Sequence, residues 1–168
     1  MSEPILKVEN MNKKFGSTVA LNDVSLSVYP GEIRGLIGEN GSGKSTVARC
    51  IMNIYKPSEG EIFYKGIPIC KSKEFRKNRK MLQMTRQMIF QDSASSLNPR
   101  MKIEDIVAEP LRIYSGKGRP GKKEIEKQLE LVGLDRSYME KYPCELSGGQ
   151  RQRVAIARAL STKPELIV

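Results

Sequence analysis

The sequence predicts an α/β protein with an antiparallel β portion near its N-terminus. Apolar and polar residues alternate in short runs over residues 5–28, as in strands that are buried on one face. A glycine-rich loop at residues 38–43 follows an apolar run and precedes a helical pattern. A later helical pattern precedes a final apolar run at residues 166–168. This strand–loop–helix opening and the later helix–strand step are typical of the α/β class.

Three strands are expected before the glycine-rich loop. Residues 5–8 and 24–28 have the pattern of strands, and residues 22–23 (Asn-Asp) are predicted to form the turn before the second of them. The Pro-Gly pair at residues 30–31 breaks the chain. Residues 32–37 are mostly apolar, which favours a buried strand of a parallel sheet.

A helix and a hairpin are expected after that loop. The helical pattern begins at Lys44, ends at residues 57–60, and has an apolar face of Val47, Ile51 and Ile54. Residues 61–64 and 67–69, separated by Lys-Gly, are predicted to form a hairpin.

The second half of the chain has mainly helical patterns. A Met-rich, core-facing segment at residues 81–88 leads into a short strand at 88–90, and residues 93–100 are expected to form a loop. A helical pattern covers residues 103–134, with Ile125, Leu129 and Val132 on one face and with interruptions at Pro110 and residues 116–121. A last helix is predicted near residues 147–160, before the strand at 166–168.

Composition sets limits on the kind of protein. The chain has 168 residues, enough for one domain, with 39% hydrophobic and 29% charged residues. These values exclude a disordered tail, a collagen-like fibre and a disulfide scaffold. No apolar run approaches the roughly 20 residues that span a bilayer, and no secretory signal is visible. The three cysteines, Cys50, Cys70 and Cys144, form no CxxC pair and are expected to be buried fillers in a reduced compartment.

The formal net charge is +10, which favours an anionic partner or reflects only a solvated basic surface. Residues 71–80 are especially basic and are predicted to form an exposed helix or loop. A solvated surface is the preferred interpretation of this run, and contact with the anionic inner leaflet of a membrane is the alternative.

A phosphate-binding motif of the form GxxxxGK[ST] is present in the chain. It consists of Gly38, Glu39, Asn40, Gly41, Ser42, Gly43, Lys44, Ser45 and Thr46. Glycines allow the backbone N–H groups to approach phosphate oxygens, and the following helix directs its positive end at the same point. The lysine supplies a mobile charge for the β- and γ-phosphates, and the Ser45 hydroxyl is placed to ligate Mg²⁺. The motif predicts nucleotide binding and does not distinguish ATP from GTP.

A second glycine motif opens the last predicted helix. It consists of Leu146, Ser147, Gly148, Gly149 and Gln150. The serine is a good N-cap, and the glycines leave backbone N–H groups accessible to a phosphate. On its own this motif is equally compatible with a helix start whose glycines only permit a turn.

The two motifs together resemble those of the ATP-binding subunits of ABC transporters. Residues 146–150 are similar to the family's signature motif, and residues 151–160 to the helix after it. Gln91 resembles the Q-loop glutamine, and Phe15 stands where the family has an aromatic residue that stacks on adenine. The resemblance implies a P-loop NTPase core of the ABC ATPase type over residues 1–168, incomplete at its C-terminus. A helical subdomain at residues 92–145 would be inserted in it.

A narrower resemblance comes from the residues around and after Gln91. Residues 91–101, with the Glu-Pro-Leu at 109–111, are similar to the oligopeptide/dipeptide importer subfamily, which also includes nickel importers. The transported solute stays open, because membrane subunits and an external binding protein select it.

The resemblance also implies roles and partners. Lys44 and Gln91 would act in catalysis, and Ser45 and Gln91 would meet Mg²⁺, whereas Ser147, Gly148, Gly149 and Gln150 would lie at ATP bound to a facing subunit. The implied partners are transmembrane permease subunits, a second ABC ATPase subunit and, indirectly, an external solute-binding protein, with no nucleic acid. The implied location is peripheral, at the cytoplasmic face of the cell membrane.

The sequence departs from the family pattern in its hydrolytic residues. The aspartate that supports Mg²⁺, the glutamate that activates water, the D-loop and the switch histidine are not found, and the chain has no histidine. We therefore expect a fragment of a longer ATPase that binds nucleotide without efficient hydrolysis. The alternatives are a non-hydrolysing regulatory module and a soluble ABC protein that acts on nucleic acid.

Overall fold

The computed structural model describes residues 3–91, 96–115, 118 and 120–168. It divides into two compact units, Met1–Leu82 and Gln83–Val168. The first unit holds the antiparallel sheet and the glycine-rich loop, and the second holds most of the helices. Within the described residues, no helix has the length and apolar character needed to cross a membrane.

The first unit contains the predicted antiparallel β portion as a four-stranded sheet. Its strands are β1 (Leu6–Phe15), β2 (Thr18–Val28), β3 (Glu59–Tyr64) and β4 (Ile67–Pro68), in the order β2-β1-β3-β4. All neighbouring pairs are antiparallel. Alternate residues of β1 and β3 form the buried face of this sheet: Leu6, Val8, Ile62 and Tyr64.

The predicted turn at Asn22 and Asp23 is wrong, because both residues lie inside β2. The chain turns instead at Gly16, whose φ is 58°. Asp23 has a φ of 51° at an irregularity of the β1–β2 register. Its backbone N–H donates to Asn12 Oδ1 at 2.9 Å. Asp tolerates this left-handed geometry, so here Asp23 lies in a bulge within a strand.

The hairpin predicted at residues 61–64 and 67–69 is present, as β3 and β4. Lys65 and Gly66 both have positive φ values, 51° and 75°. Two positive φ values are what a type I′ turn requires between paired antiparallel strands.

The predicted buried strand at residues 32–37 is absent. This segment forms no ladder with the described strands, and Ile33 and Ile37 are each 99% exposed. A segment becomes a buried strand of a sheet only when it pairs with neighbouring strands, and this segment has no such pairing among the described strands. The apolar run therefore predicted a buried strand, but its side chains at Ile33 and Ile37 are not covered by any of the described residues.

Helices α1 (Lys44–Ile51) and α2 (Ser72–Thr85) are the helices of the first unit; α2 ends just past its boundary. Val47 and Ile51 are buried as predicted, but Ile54 lies beyond the end of α1 and is 51% exposed. The run at residues 71–80 is an exposed basic helix, because α2 covers most of it.

The second unit packs helices around its own core. Its elements are β5 (Arg86–Gln87), α3 (Ile103–Ser115), α4 (Lys122–Glu130), α5 (Gly148–Leu160) and β6 (Leu166–Ile167), with short 3₁₀ helices at Arg136–Tyr138 and Pro143–Glu145. The core includes side chains from all three α-helices, among them Ile103, Val107, Ile125, Leu129 and Val154. Strands β5 and β6 are parallel, as the α/β class requires.

Several predictions for the second unit, and the prediction for the cysteines of both units, need adjustment. Pro110 lies inside α3 and does not interrupt it. The short strand comes slightly earlier than residues 88–90, although Ile89 N–H still donates to Val168 O at 2.9 Å. Cys144 is exposed and Cys70 half-buried, so only Cys50 is a buried filler. The loop at 93–100, the subdomain start at Asp92 and the interruption at 116–121 fall partly on residues 92–95, 116, 117 and 119, which lie outside the described residues.

Candidate nucleotide-binding site

The glycine-rich loop turns sharply just before α1. Gly41 and Gly43 have φ values of 84° and 91°, in the left-handed region that favours glycine. Ser42 N–H donates to Glu39 O at 3.2 Å, and Val47 N–H donates to Gly43 O at 2.9 Å as the helix begins. The loop therefore leads directly into the positive end of α1, which is the geometry of an anion-binding site.

Glycine is required at position 43 both by the backbone φ and by the neighbouring atoms. A Cβ at this position would lie 2.6 Å from Ala20 O and 2.7 Å from Leu21 Cδ2. A Cβ at Gly41 would meet no atom within 4 Å, so there only the φ demands glycine. The loop thus packs closely against β2 at Gly43 and is open at Gly41.

Lys44 holds its ammonium group against the loop. Its Nζ donates to Glu39 O at 2.6 Å, to Gly38 O at 2.8 Å and to Ser42 Oγ at 3.2 Å. The first turn of α1 contains no acidic residue. The Lys44 ammonium, the loop amides and the helix dipole therefore all favour the binding of an anion at this loop.

The other predicted loop residues line this turn. Glu39, Asn40 and Ser45 are exposed, and Thr46 is half-buried. Phe15 lies in the same unit at the end of β1, paired with Thr18, and is 44% exposed. This unit therefore contains the phosphate loop and the predicted adenine-stacking residue.

The signature-like motif caps α5. Ser147 accepts a hydrogen bond from Gln150 N–H at 3.3 Å, and Gln150 Oε1 accepts one from Ser147 N–H at 2.8 Å. This reciprocal pair is a capping box. Gly148 and Gly149 are exposed, and a Cβ at either position would meet no atom within 4 Å. Packing within this chain therefore does not require glycine at these two positions.

Side chains that the sequence analysis did not single out anchor this motif. Arg151 Nη1 donates to Leu146 O at 2.6 Å, and Gln150 Nε2 donates to Tyr138 Oη at 2.9 Å. Arg151 directly follows the motif in the sequence, and this adjacency was the only sequence signal that it would support the motif. These contacts fix the loop that presents the two glycines.

Gln91 is exposed and lies four residues after β5, in the second unit. Further along this segment, Arg158 of α5 donates through Nη1 to Ser96 O at 3.0 Å and through Nη2 to Ser96 Oγ at 3.3 Å. Burial lowers the pKa of the Arg158 guanidinium from its ordinary value, and Glu109 opposes that shift. Because an arginine side chain keeps its proton in proteins, the guanidinium stays charged. Helix α5 therefore holds the chain at Ser96.

Comparison with known sequences identifies relatives over nearly the whole chain. The family model described as "ABC transporter" matches residues 21–168. The "Oligopeptide transport ATP-binding protein OppF" of Bacillus subtilis (strain 168) is 43% identical, covering 100% of this chain and 57% of that protein. The "Dipeptide transport ATP-binding protein DppF" of Lactococcus lactis subsp. cremoris (strain MG1363) is 42% identical, with the same two coverages. The chain thus spans 57% of the length of these relatives.

Solved structures share the fold. The cassette MJ0796, described as a dimeric post-hydrolysis state bound to ADP and Pi, matches with a TM-score of 0.83 and 32% identity, covering 96% of this chain and 72% of that one. The structure of cbiO1 from Clostridium perfringens is described as part of the ABC transporter complex cbiONQ. It matches with a TM-score of 0.78 and 28% identity, covering 99% of this chain and 64% of that one. These matches confirm the predicted fold of the ABC ATPase type, and the chain belongs to the ABC transporter family.

Proposed function

We propose that this chain is the nucleotide-binding part of an ABC importer subunit that couples MgATP binding and hydrolysis to uptake of oligopeptides, dipeptides or a related solute. The observation that carries the proposal is the loop at residues 38–46, where two left-handed glycines precede α1 and the Lys44 ammonium folds back onto the loop at the helix's positive end. The names of the relatives OppF and DppF support the peptide class of solute.

The nucleotide would be held by the phosphate loop and by Phe15. Residues 38–46 would surround the triphosphate, with Lys44 on the β- and γ-phosphates and Phe15 on the adenine. The ADP and Pi in the MJ0796 structure support an adenine nucleotide as the ligand.

A magnesium ion would be held by Ser45 and Gln91. The Ser45 hydroxyl is exposed on the first turn of α1, next to the phosphate loop, and Gln91 offers an exposed amide oxygen. Hydroxyl and amide oxygens are the kind of ligand that Mg²⁺ accepts, so the chemistry of each residue suits the ion. When bound, the ion would neutralise charge on the phosphate oxygens.

A second ATPase subunit would complete the site. Gly148 and Gly149 are exposed in the first turn of α5, directly after the loop that Arg151 anchors, and packing among the described residues does not need glycine there. Close approach of a facing subunit's nucleotide to the backbone N–H groups of α5 gives these glycines a purpose. Permease subunits would hold the pair at the cytoplasmic face of the membrane, with Gln91 as the link and residues 92–145 as the helical subdomain.

The 168 residues would bind nucleotide without efficient hydrolysis. Phosphoryl transfer to water needs a residue that orients the water, and no such motif occurs in this sequence, which also has no histidine. A non-hydrolysing regulatory module is the second candidate.

Two measurements test the proposal and separate the candidates. Uptake of a radiolabelled oligopeptide by cells whose chromosomal gene carries Lys44→Ala should be lost, and the same change at exposed Lys163 should leave it intact. MgATP hydrolysis by the purified transporter should fall with uptake. Normal uptake in the Lys44→Ala cells would contradict the transport function, and nucleotide binding without any turnover by the whole transporter would favour the regulatory module.

A further inference from the structure

We infer that Tyr55 is a positioning residue that, together with Lys13, holds the Phe15 ring in place for the adenine base. The inference rests on the proposed function and adds a residue to the base-binding end of the site. The ring centroids of Phe15 and Tyr55 are 5.2 Å apart, and the ring planes meet at 78°. This is the edge-to-face geometry that aromatic pairs prefer.

Cations complete the cluster around the two rings. Lys13 Nζ lies over the Phe15 ring at 4.8 Å from its centroid, and Arg49 Cζ lies 5.7 Å from the Tyr55 centroid. Both distances are within the range of a cation–π contact. Phe15 keeps 44% of its surface exposed despite these contacts, so an aromatic surface remains for a base to stack on.

Hydrogen bonds fasten the segment that carries Tyr55 to the end of β1. Lys13 Nζ donates to Lys56 O at 2.8 Å, and Ser58 N–H donates to Asn12 O at 2.8 Å. Lys14 N–H donates to Ser58 Oγ at 3.1 Å. Tyr55 is therefore fixed relative to Phe15 and is half-buried, whereas Phe15 is exposed.

Helix α1 connects this cluster to the phosphate loop. The backbone N–H groups of Ile54 and Tyr55 both donate to Arg49 O, at 2.9 and 3.2 Å. Lys44 and Arg49 are five residues apart on α1, about 7.5 Å along its axis. One rigid helix thus sets the distance between the phosphate loop and the residue that supports the aromatic ring.

The test separates base binding from phosphate binding. Isothermal titration of the 168-residue chain would use MgATP and, as a probe without a base, magnesium tripolyphosphate. Tyr55→Ala should lower ATP affinity about three- to tenfold, the range of an aromatic pair contact, and leave tripolyphosphate affinity unchanged. Phe15→Ala should lower ATP affinity about tenfold. Tyr55→Phe should behave as wild type, because the ring contact needs no hydroxyl.

Tyr29→Ala is the matched control, since Tyr29 is 42% exposed in the same unit but outside the cluster. Equal losses for ATP and tripolyphosphate in Tyr55→Ala would show a general structural role and overturn the inference. Unchanged ATP affinity in Tyr55→Ala, alongside a loss in Phe15→Ala, would also overturn it while leaving the proposed function standing. Failure of the wild-type chain to bind either probe would overturn the proposed function and the inference with it.

Discussion

Gly43→Ala should destabilise the first unit more than any other single glycine-to-alanine change in the phosphate loop. A φ of 91° costs a residue with a Cβ about 1–2 kcal/mol. The new methyl group would also lie 2.6 Å from Ala20 O and 2.7 Å from Leu21 Cδ2, which adds an overpacking cost of about 1–3 kcal/mol. The total loss of unfolding free energy is therefore about 2–5 kcal/mol.

Gly41→Ala provides the matched control. Its φ of 84° carries the same backbone cost, but its Cβ would meet no atom within 4 Å, so the expected loss is only about 1–2 kcal/mol. Urea unfolding of the two variants and the wild type, followed by circular dichroism, measures the difference. Each kcal/mol should also lower the thermal midpoint by about 2–4 °C in a chain of this size.

The comparison can refute the packing argument directly. If Gly43→Ala and Gly41→Ala lose equal stability, the contact with β2 has no energetic role and only the backbone conformation matters. If neither variant loses stability, the left-handed loop itself is not the native conformation.

The remaining predictions concern two other kinds of residue. Gly148→Ala and Gly149→Ala should leave the stability of the chain unchanged or raise it by up to about 1 kcal/mol, since alanine favours helices, yet peptide uptake by the assembled transporter should fall. Equal wild-type uptake in both variants, with thermal midpoints measured in parallel, would contradict the proposed contact with a facing subunit. Burial raises the pKa of the Cys50 and Cys70 thiols above the ordinary 9.0, so at pH 8 a thiol reagent should label exposed Cys144 first, as peptide mapping can check. In the unfolded chain the Cys50 and Cys70 thiols ionise more easily than in the folded protein, so the free energy of unfolding should decline as pH rises past about 9. If the unfolding free energy of the wild type instead rises over that range relative to a Cys50→Ala, Cys70→Ala double variant, the raised pKa values are contradicted.

Local chemistry made some elements predictable from the sequence. Ser147 and Gln150 have the residue types and spacing of a capping box, and α5 begins there. Lys65 and Gly66 separate two apolar runs, and they form the turn of the β3–β4 hairpin. In these cases the interactions that fix the element lie within a few residues of each other.

Other elements depend on partners that a local pattern does not reveal. Residues 22–23 have the composition of a turn, but hydrogen bonds between Asp23 and the side chains of Asn10 and Asn12 on β1 hold Asp23 within β2. Residues 32–37 have the composition of a buried strand, but no described strand pairs with them. Pro110 removes one helical hydrogen bond at a cost of about 3 kcal/mol, and the burial of Ile106 and Val107 helps offset it.

The candidate site likewise has parts that the sequence predicted and parts that it did not. The phosphate loop and the signature-like motif were visible as short patterns of glycine, serine and lysine. The supports of these patterns were not visible, because Tyr55 near Phe15 and Tyr138 near Gln150 depend on tertiary contacts. A tyrosine in a sequence gives no sign of which ring or amide it will meet.

The most direct test of the central claim is the affinity of the 168-residue chain for MgATP, measured by isothermal titration with and without Lys44→Ala. The ammonium of Lys44 lies 2.6–3.2 Å from three acceptors of the loop, where it can transfer its hydrogen bonds to a phosphate. The account predicts saturable binding at one site and a loss of at least about tenfold in the variant, as a charge-assisted contact of roughly 1.5–3 kcal/mol requires. Equal affinity of the two proteins for MgATP, with Lys163→Ala as the control, would contradict phosphate binding at this loop.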